Sequence, residues 1–396
     1  MPPFLPFRGL RYDPDLPLDR LIAPPYDVVA AEERARLAGR HRANAIHVEL
    51  PEDDPRSGDN RYRHAATLFD RWRSDGTVRP DRAPAFYAYR MTSPDSSTVT
   101  GVIGALACDP PGADVLPHEQ TIPKDTTDRL DLLRACHANL SPIWGLSLTN
   151  GLADAYRPLG PPPAEAVDDD GVVHSLWVLD DPAAVERISA GVAASPVVIA
   201  DGHHRYETAA RYRAERRTAR GDEPGEYDFV MALVVELAED QLTVGPIHRT
   251  LTGVPADVDL VESFRSWFDA VHAGPADDAV LEAVARSSAL ALVLPGGVWL
   301  LTARDDAYQA AGSDLDSSLV SLVTDKIGGV QLAYQHDWRT AAAAVRDGDA
   351  QGALLIRPVT VRQIREWAAA RRRMPPKSTY FRPKPRTGMV FRSVEG

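Results

Sequence analysis

The chain has 396 residues, 44% of them apolar and 25% charged, with a formal net charge of −12 at pH 7. That length suits two cores better than one, and the composition excludes fibrous and wholly disordered classes. The acidic balance argues against a protein that coats nucleic acid, because neutralising phosphates needs an accumulated basic surface; it leaves room for a local basic pocket.

No stretch approaches the roughly eighteen consecutive apolar residues of a membrane span, and Met1-Pro2-Pro3-Phe4 lacks the charged-then-apolar opening of a signal peptide. The expectation is a cytoplasmic protein with no membrane partner. Cys108 and Cys136 have no metal-site spacing and read as buried, reduced thiols. Basic residues are overwhelmingly arginine, and the only lysines are Lys124, Lys326, Lys377 and Lys384. A flexible ammonium differs from a planar guanidinium, so each lysine is worth asking about.

In chain order, the opening ends in Ala23-Pro24-Pro25-Tyr26-Asp27-Val28, where paired prolines fix an extended approach to Tyr26 and Asp27. These two either wall a pocket or anchor the amino terminus. Residues 45–50 read as a strand, and Tyr62, Ala66, Phe69 and Arg73 share a helical face with Trp72 beside them. Residues 85–91 and 99–107 read as strands joined by the turn Ser93-Pro94-Asp95-Ser96-Ser97. Thr127 or Asp128 caps a helix carrying Leu130, Leu133 and Cys136, which ends near Asn139 and Pro142. Residues 158–171, with three prolines and three aspartates in a row, read as a surface loop.

Residues 197–200 form a short buried strand by pattern, followed by Asp201-Gly202 and a helix with Tyr206, Ala209, Ala210 and Arg213 on one spacing. Residues 229–237 are another apolar strand. His248 and Arg249 read as a charged loop that can also point at a site. Beyond Gly253 the composition shifts to alanine- and aspartate-rich helical windows, with strands at 289–294 and 298–303. A helix over 361–373 is stopped by Pro375 and Pro376. Trp144, Trp177 and Trp299 sit in apolar strands and read as core. The fold class is α/β, in the mixed α+β sense, with lobes over 1–252 and 253–396 and a C-terminal tail returning to the site.

The sharpest local feature is strand, Asp201-Gly202-His203-His204-Arg205, helix. Gly202 permits a tight turn, and the first helical turn exposes unpaired amides with positive partial charge, a natural seat for phosphate. His203, His204 and Arg205 add donors at the same end, Arg205 as a bidentate fork. Asp201 fits either a Mg2+ ligand or a base accepting a hydroxyl proton. The bland alternative is an aspartate that only caps the helix. Zinc is disfavoured, because neighbouring histidines on a helix point about 100° apart. His118, Glu119 and Lys124 precede a helix and bring an acid, a base and a cation together. Lys377, Ser378 and Thr379 can likewise donate to an anion, or form an exposed tail.

These blocks carry a resemblance. Pro6-Phe7-Arg8-Gly9-Leu10, residues 23–28, His118-Glu119 with Lys124, Asn139-Leu140-Ser141-Pro142-Ile143, residues 200–207 and residues 374–381 together resemble the bacterial domain-of-unknown-function 1015 family over almost the whole chain. The Asp201 to Arg205 block alone resembles the signature of free-serine kinases, of the partition protein B and sulfiredoxin superfamily. That second resemblance implies a partition protein B/sulfiredoxin-like core whose strand-turn-helix holds phosphates, and phosphorylation of the hydroxyl of free L-serine. It places Asp201 at the reaction centre, with His203, His204 and Arg205 holding phosphate, and it makes pyrophosphate a credible donor. No Walker-type nucleotide loop is visible, and the chain's acidity does not support the DNA-reading role of partition proteins.

The expectation is therefore a phosphotransferase using pyrophosphate, ATP or ADP, with Mg2+, to phosphorylate a small hydroxyl substrate. Asp201, His204 and Glu119 are the catalytic candidates. Gly202, His203, Arg205, His118, Lys124, Lys377, Ser378, Thr379, Tyr26, Asp27 and Arg249 are the phosphate- or substrate-binding candidates, and Asp201 is the metal candidate. Two rivals use the same pocket: a phosphoester or phosphoanhydride hydrolase with water as acceptor, and a nucleotide-binding regulatory module without turnover.

Overall fold

A computed structural model describes residues 2–53, 58, 60–108, 114–117, 127–157, 159–287 and 289–395. Packing divides the chain into two units: Met1–Thr243 with Ala368–Arg371 and Phe381–Gly396, and Val244–Trp367 with Arg372–Tyr380. The sequence reading drew the division between residues 252 and 253. The end of the chain, Phe381–Gly396, belongs to the first unit.

The first unit is organised by a nine-stranded mixed sheet, in the order Val115–Pro117, Val197–Asp201, Ile143–Ser147, Phe229–Glu236, Thr98–Ala107, Phe86–Thr92, Val173–Leu179 and Ala164–Val167, with Phe4–Leu5 added beside Thr98–Ala107. Val197–Asp201 runs parallel to Val115–Pro117, and Phe229–Glu236 parallel to Ile143–Ser147; the other pairings are antiparallel. The central strands are covered on both faces, which is why Phe229–Glu236 reads as an unbroken apolar run rather than an alternation. One face packs Phe4, Phe86 and Val234 against Ile188, Val192, Tyr206 and Ala209. A separate core gathers Phe69, Trp72, Leu132, Cys136 and Phe391. Among them are residues of the helices Arg61–Ser74 and Thr127–Cys136, whose apolar spacing is legible in the sequence. Neither Cys108 nor Cys136 is in a disulfide, and both are buried.

The second unit holds a six-stranded antiparallel sheet, in the order Phe268–Gly274, Gly297–Ala303, Ala289–Leu294, Gly352–Leu355, His248–Thr252 and Gln331–Gln335. The strands and helices expected beyond Gly253 are found there, so the protein is a mixed α/β molecule with several sheets.

Four local expectations need correction. Residues 45–50 are not a strand: Ile46–Glu49 is a short helix, because the buried Asn44 accepts the Ile46 amide (2.9 Å) and donates to the Arg20 and Ile22 carbonyls. A tertiary anchor here overrides the β preference of Ile and Val. The loop at 158–171 contains the strand Ala164–Val167, and Asp168 forms the hairpin's corner by accepting the Val172 amide at 2.9 Å. His248 and Arg249 are strand residues, 2% and 3% exposed, and not a charged loop. The late helix runs Val361–Ala369 and ends before the prolines, with Arg371 left-handed at φ 50°. Trp144 and Trp177 are buried as expected, while Trp299 is half-buried. Among the described residues no helix is long and apolar enough to cross a membrane.

Candidate functional site

The strand Val197–Asp201 pairs with Ile143–Ser147 in regular register from Val197 opposite Ser147 to Ile199 opposite Gly145, then slips so that Asp201 faces Trp144. A slip of this kind is a β-bulge, which bends the strand and re-aims the side chain after it. Gly202 follows in the left-handed region, at φ 89° and ψ 27°. A Cβ there would meet the Arg205 guanidinium and Ile143, each at 3.1 Å. The left-handed conformation calls for glycine, and a Cβ would also sit tightly against these neighbours. The eighteen-residue helix His203–Arg220 begins at once, and its first intrahelical bond runs from the Tyr206 amide to the Gly202 carbonyl at 3.0 Å. The amides of His203, His204 and Arg205 precede it and form the positive end of the helix dipole.

Asp201 is held from two sides. Lys384 Nζ donates to Oδ1 at 2.5 Å and Arg205 Nη2 donates to Oδ2 at 2.9 Å. The three side chains are 16%, 13% and 11% exposed, so these pairs are shielded from solvent. Burial pushes the Asp201 carboxyl up, but Lys384, Arg205 and then His203 outweigh it, and the group stays ionised below the usual carboxylate range. Arg205 extends the chain of contacts: Nη1 donates to Ser141 Oγ (3.1 Å) and to the Pro142 carbonyl (2.6 Å), and Ser141 Oγ donates to Glu49 Oε1 at 2.9 Å.

The segment that delivers Lys384 is pinned on both sides. Upstream Phe381 lies against Trp144, ring centroids 5.7 Å apart. Downstream, Arg386 Nε donates to the buried Asp168 at 2.8 Å, and the Arg386 amide donates to Tyr89 Oη at 3.0 Å. Tyr89 Oη and Asp168 Oδ2 each lie 2.8 Å from opposite nitrogens of His174, which is fully buried. With Tyr89 donating to Nδ1 and Nε2–H donating to Asp168, every contact is satisfied by a neutral imidazole. Burial lowers the His174 pKa, consistent with that form. Thr387 then exchanges two backbone hydrogen bonds with Ala23.

Next to Arg205 lies a small cavity of about 60 Å3, lined by Tyr26, Glu49, Arg129, Ser141 and Thr208 among others. Arg129 sits 4.2 Å above the Tyr26 ring and donates to the Glu49 carbonyl at 2.7 Å. Burial raises the Tyr26 pKa, with Arg205 opposing.

Of the residues singled out in the sequence, Asp201, Gly202, His203, His204 and Arg205 come together at the bulged turn, where His204 Nδ1 lies 3.7 Å from the Glu207 carboxylate. Tyr26 lines the neighbouring cavity, and Asp27 is in the same 3-10 turn, Tyr26–Val28. His118, Glu119 and Lys124 lie outside the described residues. Arg249, Lys377, Ser378 and Thr379 belong to the second unit, where Arg249 Nη2 donates to the Lys377 carbonyl at 2.8 Å and Ser378 Oγ to the Pro375 carbonyl at 2.7 Å. Arg205 does not reach outward as a free fork; both of its terminal nitrogens are engaged within the fold.

Sequence reasoning missed Lys384, Glu49, Ser141 and Arg129. For Lys384 a signal existed: it is a rare lysine between Pro383 and Pro385, in a stretch with little backbone freedom. The Mg2+ expected at Asp201 does not fit the side chains present. Both carboxylate oxygens face cations, whereas Mg2+ is held by oxygen ligands and water. Among the described residues no group of three or more His, Cys, Asp or Glu is arranged to hold an ion.

No curated protein matches the chain. Among solved structures it is similar to a free serine kinase in complex with AMP, at 14% identity and TM-score 0.38 over 75% of this chain and 92% of that one. It is also similar to C-terminally truncated SbnI from Staphylococcus aureus, at 12% identity and TM-score 0.39 over 73% and 86% of the two chains. A third is a conserved hypothetical protein from Pyrococcus furiosus, at 12% identity and TM-score 0.36 over 70% and 90%. A family model described as a protein of unknown function, DUF1015, matches residues 4–320. With the greater part of its length matched, the chain belongs to the DUF1015 family.

Proposed function

We propose that this protein is a phosphotransferase that moves a phosphoryl group from pyrophosphate or a nucleotide onto a small hydroxyl acceptor, free L-serine first. The observation that supports this best is the ionised Asp201 at a bulged strand end, directly before a left-handed glycine and the N-terminus of a long helix. Two histidines in the first helical turn and Lys384 stand at the same place. In this reading the strand-turn-helix acts as the phosphate-holding core of a partition protein B/sulfiredoxin-like unit.

Phosphoryl transfer asks little covalent chemistry of a protein; positioning and charge stabilisation carry most of it. The amides of residues 203–205, His203, His204 and Lys384 would take the charge of the transferring group. Asp201 would accept a hydrogen bond from the acceptor hydroxyl and orient it along the line of attack. A carboxylate with a lowered pKa is a weak base, so Asp201 fits orientation better than early proton removal. Glu119 stays the second carboxylate of the proposal. No step is assigned to a metal.

Incubation of the full chain with L-serine, Mg2+ and, separately, pyrophosphate, ATP, ADP or CTP, followed by phosphorus NMR, tests this. O-phosphoserine with one donor is the expected result. Inorganic phosphate alone would identify a hydrolase, and no product from any donor would remove the phosphotransferase reading.

A further inference from the structure

Asp168, His174 and Tyr89 follow one another as carboxylate, imidazole and hydroxyl, an order that can activate a nucleophile. Here the line is closed at both ends. The Tyr89 hydroxyl, on a residue 1% exposed, donates to His174 and accepts the Arg386 amide at 3.0 Å. At the other end Asp168 Oδ2 accepts from His174 Nε2 and Arg386 Nε, each at 2.8 Å, and from Arg386 Nη2. Its Oδ1 accepts the amides of Asp170 and Val172, both at 2.9 Å. The main chain and the side chain of Arg386 thus complete a ring through all three groups. The Asp168 and Arg386 side chains are 6% and 9% exposed, so the ring is sealed from solvent and offers neither end to a reactant.

Buried ionic groups are weak evidence for stability as such; what this ring fixes is a place in the chain. Arg386 stands two positions beyond Lys384, and Pro383 and Pro385 flank the lysine. The prolines lock their own φ, and Pro385 also restricts the backbone of Lys384 before it. Upstream, Phe381 is buried against Trp144. A lysine ends in a flexible four-carbon stem, so keeping Nζ on Asp201 Oδ1 depends on where its backbone is held.

We infer that Asp168, His174 and Tyr89 are positioning residues that act through Arg386 to set the backbone from which Lys384 reaches Asp201. Any consequence for turnover rests on the proposed function; the placement of Lys384 does not.

Lysine reactivity tests this in the full chain, by reductive methylation with formaldehyde and a borane reductant followed by peptide mass spectrometry. Lys384 is paired and shielded, whereas Lys326 and Lys377 are exposed in the second unit and serve as references. In the wild type Lys384 reacts about tenfold more slowly than either reference. Asp168→Asn and Tyr89→Phe each raise the Lys384 rate several-fold with Lys326 unchanged, a local change that general unfolding does not give. Asp169→Asn, whose carboxylate pairs with Arg36 and Arg40 outside the ring, keeps the wild-type rate. A wild-type Lys384 as reactive as Lys326, an unchanged Lys384 rate in both ring variants, or a rise shared equally by Lys326 or by Asp169→Asn would overturn the inference. If a donor yields O-phosphoserine, Asp168→Asn lowers kcat by about tenfold at an unchanged KM for serine, because a misplacement of about 1 Å can cost on the order of 100-fold. Release of Lys384 without product from any donor removes the phosphotransferase reading and leaves the positioning role standing. Product formation with Lys384 protected equally in wild type and ring variants does the reverse.

Discussion

Replacing Lys384 by methionine keeps most of the side chain's length and removes the ammonium 2.5 Å from Asp201 Oδ1. Removing one partner of a buried pair costs about 3–5 kcal/mol when the other charge is left alone. Asp201 keeps Arg205 at 2.9 Å, so about half of that, ~2 kcal/mol, is expected. For a unit of this size that lowers Tm by about 4–8 °C. The assay is a double-mutant cycle by denaturant unfolding at pH 7, where Asp201 is ionised, with Asp201→Asn as the second substitution. Once Asp201 is neutral, Lys384→Met should cost far less than it does in the wild type, for a coupling of ~1 kcal/mol or more. Costs that add to within about 0.5 kcal/mol would refute a direct Lys384–Asp201 pair.

Gly202→Ala forces a Cβ into the left-handed region and against Arg205 and Ile143; a loss of about 1–2 kcal/mol is expected from the backbone alone, read by calorimetry. Tyr89→Phe removes the hydroxyl that accepts the Arg386 amide and donates to His174, costing about 1–3 kcal/mol, and it should speed proteolysis within residues 381–396; unchanged cleavage would speak against the clamp. Asp201 and Asp168 both have carboxyl pKa values below the ordinary range: burial raises each, and the cations around Asp201, or His174 and Arg386 around Asp168, outweigh it. Such groups stabilise above the unfolded value near ~3.9, and the stabilisation is lost as pH falls through the lower folded values. Tm should hold down to about pH 5 and fall below about pH 4, more shallowly in Asp168→Asn; a wild-type Tm that rises on acidification would contradict the pairing.

What was legible in the sequence was periodic or local. The strand ending at Asp201, the glycine turn and the helix with Tyr206 and Ala209 on its buried face follow from apolar spacing and from glycine's freedom. The bulge that re-aims Asp201 was not legible, because a register slip depends on the partner strand at Trp144 and leaves no mark in the strand itself. Long-range partners were also hidden. Lys384 is 183 positions from Asp201, and Asp168 is 218 from Arg386, so only folding brings them together. Residues 45–50 failed for a related reason: a β-prone run is bent into a helix by Asn44, whose partners Arg20 and Ile22 lie more than twenty positions away. The surface loop expected at 158–171 hid a partner of the same kind, since Asp168 is drawn in by Arg386.

The most direct measurement is O-phosphoserine formation by wild type and Asp201→Asn side by side, with the same donor and with folding checked by circular dichroism. A reaction centre at Asp201 predicts product from the wild type and near-complete loss of turnover in a folded Asp201→Asn. Equal rates from the two proteins would contradict it.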